Sequence, residues 1–476
     1  MNLKKNLEKI NSFERTQDIS LYRFKDFNFW PIIRSQIYFR ALSDSSNSRV
    51  KDEGNKKLEK LKLKFFKICN LIILVSRKRR ELIPYKRFAF FFTSGHAHLG
   101  STGNYRHDYV DDFADRFDAG DVNYFYVNDK LLSSIRFENE KEWIDISSLF
   151  WTRTLFSRCK FLLSSRSKEL SKEIGKKEQR IIRNVYELSK IYEKVLKKSR
   201  PKLVFLICFY SPESFAITLA CHRLNIKVVE YQHGAQNDCH NMYTNWERPP
   251  KEGHEIIPDY FWMWGDISRK RIEDWASKTS KHVAFIGGNS SLLNAKNQRS
   301  AIKEEIIKSD KKIVLVSLQH EKFLPHWFVD FCIEHKDEFS WVFREHPRNK
   351  LSKEMLNVLA SISDIPVDVA TNINKYDLLK ISDVHITGFS SMAFEALFFN
   401  TPTIFINENA LNGYRNLIDD RSFYYASNRE EMHEKLNAVQ SRTFVDTVKY
   451  FAREEDLFFS SLGDLENYLD KVEQLS

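Results

Sequence analysis

The sequence is poor in the residues that interrupt regular structure, with 14 glycines and 11 prolines among 476 residues. Its six cysteines are scattered and form no C-x-x-C pair, which indicates a reduced chain without structural zinc. No apolar run reaches the roughly 20 residues that a membrane span requires, and the first residues lack the apolar core of a signal peptide. We therefore expect a cytoplasmic protein.

Several catalytic signatures are also missing. The sequence has no Walker A loop, no clean G-x-G-x-x-G, no G-x-S-x-G elbow, no H-E-x-x-H and no D-x-D pair. The histidines show no spacing typical of a metal site. These absences argue against P-loop, serine-hydrolase and zinc-protease chemistry, and against a metal-bridged nucleotide site. We expect no metal and no cofactor, so cationic side chains and helix N-termini would have to neutralise a bound diphosphate.

Charge is unevenly distributed along the chain. The formal net charge of +10 and the pI near 9.0 favour anionic partners. The stretch from Lys51 to Arg87 concentrates Lys and Arg around the apolar run 65–75. Two interpretations stay open: a segment that lies on an anionic membrane surface, or a core helix with solvated flanks. The basic residues do not alternate with aromatics in a nucleic-acid-binding pattern, so we expect no nucleic acid partner.

The order of predicted elements is typical of an α/β fold. Alternation of strands and helices predicts parallel sheets, and the chain is too long for one ordinary core. We expect two Rossmann-like domains facing a central cleft, at 86–290 and 300–428, plus helical segments at 1–85 and 429–476. The stretch 167–200 predicts a long exposed helix, and the polar stretch 287–300 predicts a linker. The predicted strands are 87–93, 122–127, 202–208, 227–232, 260–264, 312–318, 341–344, 367–369, 384–386 and 403–406.

Two loops in the C-terminal half carry the strongest site pattern. One is a charged His-Pro turn after strand 341–344, and the other is a Gly-Phe-Ser-Ser turn after strand 384–386. Carboxyl ends of parallel strands are where α/β sheets bind ligands. Cationic and hydroxyl groups there predict a phosphate cradle; the competing interpretation is a surface turn and an ordinary helix cap with a buried glutamate. The candidate residues are Arg344, His346, Pro347, Arg348, Gly388, Ser390, Ser391 and Glu395.

The first half of the chain supplies candidates for catalysis and for acceptor binding. Strand 227–232 ends in Gln232-His233-Gly234, which is predicted to point across the cleft, although a structurally bonded loop histidine is the simpler interpretation. A carboxylate in this half would deprotonate an acceptor hydroxyl, and sequence does not separate the aspartates at 108, 111 and 112. Glu213 lies in a predicted first helical turn, where the simpler interpretation is that its carboxylate interacts favourably with the helix dipole. The candidates are His233, Asp111, Asp112 and Glu213 for catalysis, and His96, His98 and Gln232 for the acceptor.

Taken together, these motifs resemble a known family. Gln232-His233-Gly234, Arg344-Glu345-His346-Pro347 and Gly388-Phe389-Ser390-Ser391 are similar to motifs of GT-B glycosyltransferases that make bacterial capsule and lipopolysaccharide. The similarity is greatest to groups with cytidine-activated donors: Kdo transferases, sialyltransferases and teichoic-acid-type polyol-phosphate transferases. The resemblance covers residues 200–410. It implies that the His-Pro and Ser-Ser pairs hold the cytidine nucleotide. The sialyltransferase base motif, two acids followed by glycine, is absent because Phe113 follows the acidic pair.

The resemblance implies a metal-independent GT-B-type glycosyltransferase at the inner face of the cytoplasmic membrane. A CMP- or CDP-linked nucleotide sugar would bind the C-terminal domain, and a glycan or lipid-linked glycan acceptor would enter from the N-terminal domain. Two alternatives remain. A nucleotide-sugar epimerase with two Rossmann-like domains would need no acceptor, and a non-catalytic polysaccharide-assembly protein would bind glycan without nucleotide.

Overall fold

The computed structural model describes part of the chain in detail. Among the described residues, no helix is long and apolar enough to cross a membrane. The basic stretch from Lys51 to Arg87 lies outside them, so its contact with an anionic membrane surface stays a prediction. The described residues are 3–44, 88–93, 97–99, 105–107, 113, 122–127, 143–145, 174–297, 310–346, 350–418, 423–439, 451, 467 and 471.

Short strands and helices alternate along most of the described chain. The strands are β1 (Arg23–Phe24), β2 (Phe27–Asn28), β3 (Phe88–Thr93), β4 (Ala97–Leu99), β5 (Tyr105–His107), β6 (Val122–Val127), β7 (Trp143–Asp145), β8 (Leu203–Ile207), β9 (Lys227–Tyr231), β10 (Tyr260–Met263), β11 (Val283–Ile286), β12 (Ile313–Ser317), β13 (Ser340–Arg344), β14 (Val384–Thr387), β15 (Thr403–Phe405) and β16 (Phe423–Tyr425). The helices are α1 (Leu3–Thr16), α2 (Trp30–Asp44), α3 (Lys176–Ser199), α4 (Pro212–Arg223), α5 (Asp266–Ala276), α6 (Ser290–Asn297), α7 (His326–Glu334), α8 (Lys353–Ala360), α9 (Val367–Asn372), α10 (Lys375–Ile381), α11 (Met392–Phe398), α12 (Asn409–Tyr414) and α13 (Arg429–Ala438).

Two parallel sheets organise the chain. The first has the strand order β11-β10-β9-β8-β3-β6-β7, and the second has the order β13-β12-β14-β15-β16. Neighbouring strands within both sheets run parallel, so the chain crosses back between strands through helices. This topology confirms the predicted α/β class with two Rossmann-like sheets. The proposed domain boundaries stay predictions.

Two sequence-based assignments in the second half are wrong. Residues 367–369 form the start of α9 rather than a strand, because Val367 and Ala370 are buried three residues apart while Val369 is exposed. The predicted linker 287–300 contains α6, which begins where the Asn289 side chain accepts hydrogen bonds from the backbone N–H groups of residues 291 and 292.

The long helix α3 is also less exposed than its charge predicts. It runs over Lys176–Ser199 and buries a stripe that includes Ile182, Val185 and Leu196. Residues spaced three or four apart share one helix face, so charged residues cover the other face. The strands β1, β2, β4, β5, β7, β11 and β16 were not predicted; they are two to four residues long, which leaves little pattern to detect.

The N-terminal helices dock onto the first sheet's domain through a buried arginine. Arg34 and Glu14 form an ion pair in which both side chains are fully buried. The Arg34 guanidinium also donates to the backbone carbonyls of Asn241, Thr244 (2.7 Å) and Asn245 (2.8 Å). Buried charges are tolerated only when they are paired and hydrogen-bonded. This network therefore fixes helices α1 and α2 against the segment 241–245.

Replacing Arg34 by methionine should destabilise the protein strongly. The substitution leaves Glu14 buried without its charged partner, which typically costs about 3–5 kcal/mol. Urea unfolding followed by circular dichroism measures the change. Arg429→Met is the matched control, because Arg429 pairs with the exposed Asp330 and Glu334 and should lose less than about 1 kcal/mol. Equal losses in both variants would contradict the assignment.

Candidate active site

Loops from the two sheets touch at the carboxyl ends of their strands. The first-sheet loop (232–234) follows β9, and the second-sheet loop (388–391) follows β14. A methyl group placed on the Gly234 Cα would lie 3.6 Å from the Ser391 hydroxyl oxygen. One hydrophobic cluster also contains buried residues of both sheets. The structure thus brings together the two loops that sequence analysis singled out separately.

Gln232 orients the first-sheet loop from inside the protein. Its side-chain oxygen accepts the Trp264 backbone N–H (2.7 Å). Its amide nitrogen donates to the Gly234 carbonyl (2.9 Å) and to the Ser268 hydroxyl (3.1 Å). Both amide N–H groups are thus engaged within the protein, and the residue is almost fully buried. Contact between Gln232 and the acceptor, expected from the sequence, stays a prediction.

A buried carboxylate lies beneath this loop. Glu230 Oε1 accepts hydrogen bonds from the Tyr243 hydroxyl (2.7 Å) and the Cys208 N–H (3.2 Å), and lies 3.6 Å from His233 Nδ1. Burial raises the pKa of Glu230. Burial alone would lower the pKa of His233, but its interactions with the neighbouring Cys208 and Glu230 raise it to about 10. The His233 imidazole is therefore a cation at neutral pH.

A second histidine close to His233 is electrically neutral. His240 Nε2 lies 3.2 Å from the Tyr210 hydroxyl, and its ring stacks on Tyr38 with 4.3 Å between centroids. Burial, together with the charge of His233, lowers the pKa of His240 to about 3. Sequence analysis missed this aromatic surround, since nothing in the local pattern distinguishes these rings from ordinary core residues.

The backbone is strained where β8 ends. Cys208 has a φ of +69°, a left-handed conformation that residues other than glycine rarely adopt. Its N–H donates to Glu230, and its carbonyl accepts the Ser214 hydroxyl (2.8 Å). Such strain persists when surrounding contacts hold it, and it often occurs at functional sites. The bonds to Glu230 and Ser214 supply those contacts here.

In the second sheet, Glu345 fixes the loop that carries the His-Pro turn. Its carboxylate accepts the Leu351 N–H (2.9 Å) and pairs with Lys350 Nζ (2.9 Å). Its backbone N–H donates to the Thr371 hydroxyl (3.0 Å). These bonds tie both ends of the 345–351 loop together. Sequence analysis did not assign Glu345 a role, although the residue stands between the two cationic candidates.

The second-sheet loop is held by a glutamine from β12's carboxyl end. Gln319 Oε1 accepts the Phe389 N–H (2.8 Å), and a Cβ on Gly388 would lie only 2.9 Å from the same oxygen. A side chain at Gly388 would therefore displace the amide. Ser390 Oγ accepts the Met392 N–H (3.2 Å) at the start of α11, whose N-cap residue is Ser391.

Glu395 lies one turn into α11 and is engaged within the protein. Its carboxylate pairs with Lys375 Nζ at 2.7 Å, and its side chain is 5% exposed. Glu395 is therefore buried, as the competing interpretation of this motif assumed. A bond from Glu395 to a ribose hydroxyl stays a prediction, and it would have to share the carboxylate with Lys375.

The remaining predicted residues are spread more widely. Arg344 and His346 are partly buried at the carboxyl end of β13. Glu213 lies in the first turn of α4. Burial is the main cause that raises the pKa of Tyr192 in α3, and the charge of Glu213 is the second cause. His98 belongs to β4, of which only the backbone is described. The residues His96, Asp111, Asp112, Pro347 and Arg348 lie outside the described residues.

A family model matches the part of the chain that contains the second sheet. A model of the family described as CDP-Glycerol:Poly(glycerophosphate) glycerophosphotransferase matches residues 305–455, which is less than half of the chain. A teichoic acid poly(ribitol-phosphate) polymerase of Bacillus spizizenii is 31% identical over 125 residues, which are 24% of this chain and 19% of that protein. The chain thus aligns with about a fifth of that relative's length. Both names describe polyol-phosphate polymers, and neither names Kdo or sialic acid transfer.

Solved structures of similar architecture include a variant of the wall teichoic acid polymerase TagF, with a TM-score of 0.46 and 13% identity, covering 86% of this chain and 97% of that one. Another is the UDP-GlcNAc 2-epimerase from Neisseria meningitidis, with a TM-score of 0.47 and 12% identity, covering 80% of this chain and 99% of that one. At these values the likeness concerns the general α/β architecture and carries no information on substrates.

Replacing Glu230 by glutamine should lower the pKa of His233. The substitution removes the neighbouring negative charge while keeping the size of the side chain. Because the pKa of folded His233 (about 10) exceeds its ordinary value of 6.5, its protonation stabilises the fold fully below pH 6.5. That contribution is lost as the pH rises towards 10. NMR titration of the His233 ring measures the pKa, and urea unfolding across this pH range measures the stability.

Tyr243→Phe is the control for this titration. It removes a hydrogen bond to Glu230 but leaves the carboxylate, so His233 should keep most of its elevated pKa. If Glu230→Gln left the pKa of His233 unchanged, the carboxylate would not be the cause of the imidazole's charge.

Proposed function

We propose that this chain is a transferase that moves a polyol-phosphate unit from a cytidine-diphosphate-linked donor to a hydroxyl group of a growing cell-envelope polymer. The observation that carries the proposal is the contact between the first-sheet loop and the second-sheet loop, where donor and acceptor would meet. The match over residues 305–455 supports the donor class, because that family's description names CDP-glycerol.

The donor would bind the second sheet at the carboxyl ends of β13 and β14. Arg344 and His346 would donate hydrogen bonds to the phosphates, and the hydroxyls of Ser390 and Ser391 would add two more donors. Glu345 supports this arrangement, since its carboxylate bonds to Lys350 and Leu351 and so joins the described residues on either side of the turn. With these groups neutralising the diphosphate, the reaction would need no metal.

The transfer step balances with the residues at hand. An acceptor hydroxyl oxygen would attack the phosphorus next to the polyol and form a new P–O bond. The bond from that phosphorus to the bridging oxygen would break, and CMP would leave with that oxygen. Because His233 is protonated at neutral pH, it suits stabilisation of negative charge rather than proton abstraction. The hydroxyl proton would pass to a carboxylate, for which Asp111, Asp112 and Glu213 stay the candidates.

Three other functions make different predictions for the same cleft. A glycosyltransferase would transfer a sugar from a nucleotide sugar and release nucleotide only when acceptor is present. An epimerase would convert a nucleotide sugar without acceptor. A polysaccharide-assembly protein would bind glycan and no nucleotide. A lipid-linked glycan acceptor would enter from the first sheet's side, where His96 and His98 stay predicted contacts.

CDP-glycerol should stabilise the protein against heat, and His346→Ala should weaken that effect. Loss of a hydrogen bond to a charged phosphate typically costs about 1.5–3 kcal/mol, or roughly ten- to hundredfold in affinity. Thermal-shift titration with CDP-glycerol, CMP and UDP-GlcNAc measures the binding, with and without EDTA. EDTA should not reduce the response to the nucleotide.

His326→Ala is the matched control, since His326 is an exposed histidine at the start of α7, outside the candidate site. It should bind CDP-glycerol as the unmodified protein does. A second assay measures CMP release with and without a polyol-phosphate oligomer as acceptor. Conversion of UDP-GlcNAc without acceptor would support the epimerase instead, and absence of any nucleotide response would overturn the proposed donor site.

A further inference from the structure

Two histidines and a glutamate converge on the second sheet's domain, away from the candidate active site. His335 ends α7, Glu338 lies in the connection to β13, and His433 lies on α13. His433 Nε2 is 3.3 Å from one Glu338 carboxylate oxygen, and His335 Nε2 is 3.9 Å from the other. One potential ligand atom from each residue lies within 4.8 Å of the others.

The His335 ring is already oriented for a ligand. Its Nδ1 lies 2.9 Å from the Phe331 carbonyl, so Nδ1–H donates there and Nε2 carries the lone pair. The ring also stacks on Phe331, with 4.1 Å between centroids. Metal-binding histidines commonly donate their other ring N–H to a carbonyl in this way, which fixes the tautomer.

The distances suit a small divalent ion with nitrogen ligands. Four-coordinate zinc has bonds of about 2.0–2.2 Å, which places its ligand atoms roughly 3.3–3.6 Å apart. The separations of 3.3 and 3.9 Å are close to these values, and the side chain of Glu338 is 43% exposed. The three ligand atoms all lie within 4.8 Å of one another, so a bound ion would have to draw them closer together. Two imidazoles and one carboxylate favour zinc, nickel or cobalt over magnesium or calcium, which prefer oxygen ligands.

The surroundings also favour a cation. His335 is the C-cap of α7, where backbone carbonyls carry partial negative charge. One turn away, Asp330 and Glu334 both pair with Arg429 of α13, so the same two helices are already joined by ions. A metal at the three side chains would add a second connection between α7 and α13.

We propose that His335, Glu338 and His433 form a zinc-class divalent metal site that joins α13 to the α7–β13 connection. The site leads into the amino end of β13, whereas the proposed donor loops follow the carboxyl ends of the strands. It is therefore separate from the candidate active site, and its role is structural. Sequence spacing did not predict it, because Glu338 and His433 are 95 residues apart.

The test uses untagged full-length protein, stripped of metal by a chelator. Calorimetric titration with Zn²⁺ should give one ion per chain, and Co²⁺ should give a visible absorption spectrum typical of tetrahedral coordination. His433→Ala and Glu338→Gln should each weaken Zn²⁺ binding at least about tenfold. Zn²⁺ should raise the thermal midpoint of the unmodified protein but not that of the two variants.

His326→Ala is the control, because His326 is an exposed histidine at the other end of α7. It should bind Zn²⁺ as tightly as the unmodified protein, and Mg²⁺ should not compete. Unchanged affinity in both His433→Ala and Glu338→Gln would overturn the site, as would unmodified protein that binds Zn²⁺ no better than these variants. The response to CDP-glycerol is read separately, so failure of either proposal is distinguishable.

Discussion

The buried carboxylate of Glu230 is the interaction on which the shape of the candidate site depends. One of its oxygens accepts the Cys208 N–H at the end of β8 and the hydroxyl of Tyr243. The same oxygen lies near the His233 ring in the first-sheet loop. A carboxylate without such partners would be very costly inside a protein. The strained backbone, the tyrosine and the charged imidazole are therefore mutually dependent. This dependence explains how a loop histidine with a partly buried ring retains a positive charge.

In the interior of the second sheet, by contrast, a buried histidine is neutral rather than charged. His385, in the central strand β14, lies 2.6 Å from the Ser317 hydroxyl and 3.0 Å from the Thr403 hydroxyl, and thus connects three neighbouring strands. Burial lowers its pKa to about 3, so the ring stays neutral. Neutral hydrogen bonds thus connect the strands β12, β14 and β15 here.

The sequence predicted the strands of both sheets better than the contacts between them. Strands buried on both faces, such as 203–207 and 313–317, appear as unbroken apolar runs and were recognised. The alternation in 367–369 was misleading because a proline-started helix buries only one of its two valines. The polar stretch after residue 287 concealed a helix because Asn289, a typical loop residue, caps it.

The candidate site residues also fall into those that local sequence motifs predict and those that only the fold brings together. The His-Pro and Ser-Ser loops are local patterns, so sequence alone predicts that they lie at strand ends. The Glu230 cluster and the His335–Glu338–His433 group depend on residues that only the folded chain brings together. Gln232 shows the limit most clearly: its position in the loop was predicted, but its use as an internal brace depends on Trp264 and Ser268, more than 30 residues later.

The docking of the N-terminal helices also constrains how the chain is made. Arg34 and Glu14 are close in sequence, but the carbonyls that complete the arginine's hydrogen bonds lie 207 to 211 residues further on. During synthesis, α1 and α2 must therefore wait for most of the first sheet to leave the ribosome before they can bury this ion pair. Contacts of such long range slow folding and leave apolar surface exposed in the meantime. Until then, α1 and α2 lack the carbonyl partners that complete the hydrogen bonds of Arg34.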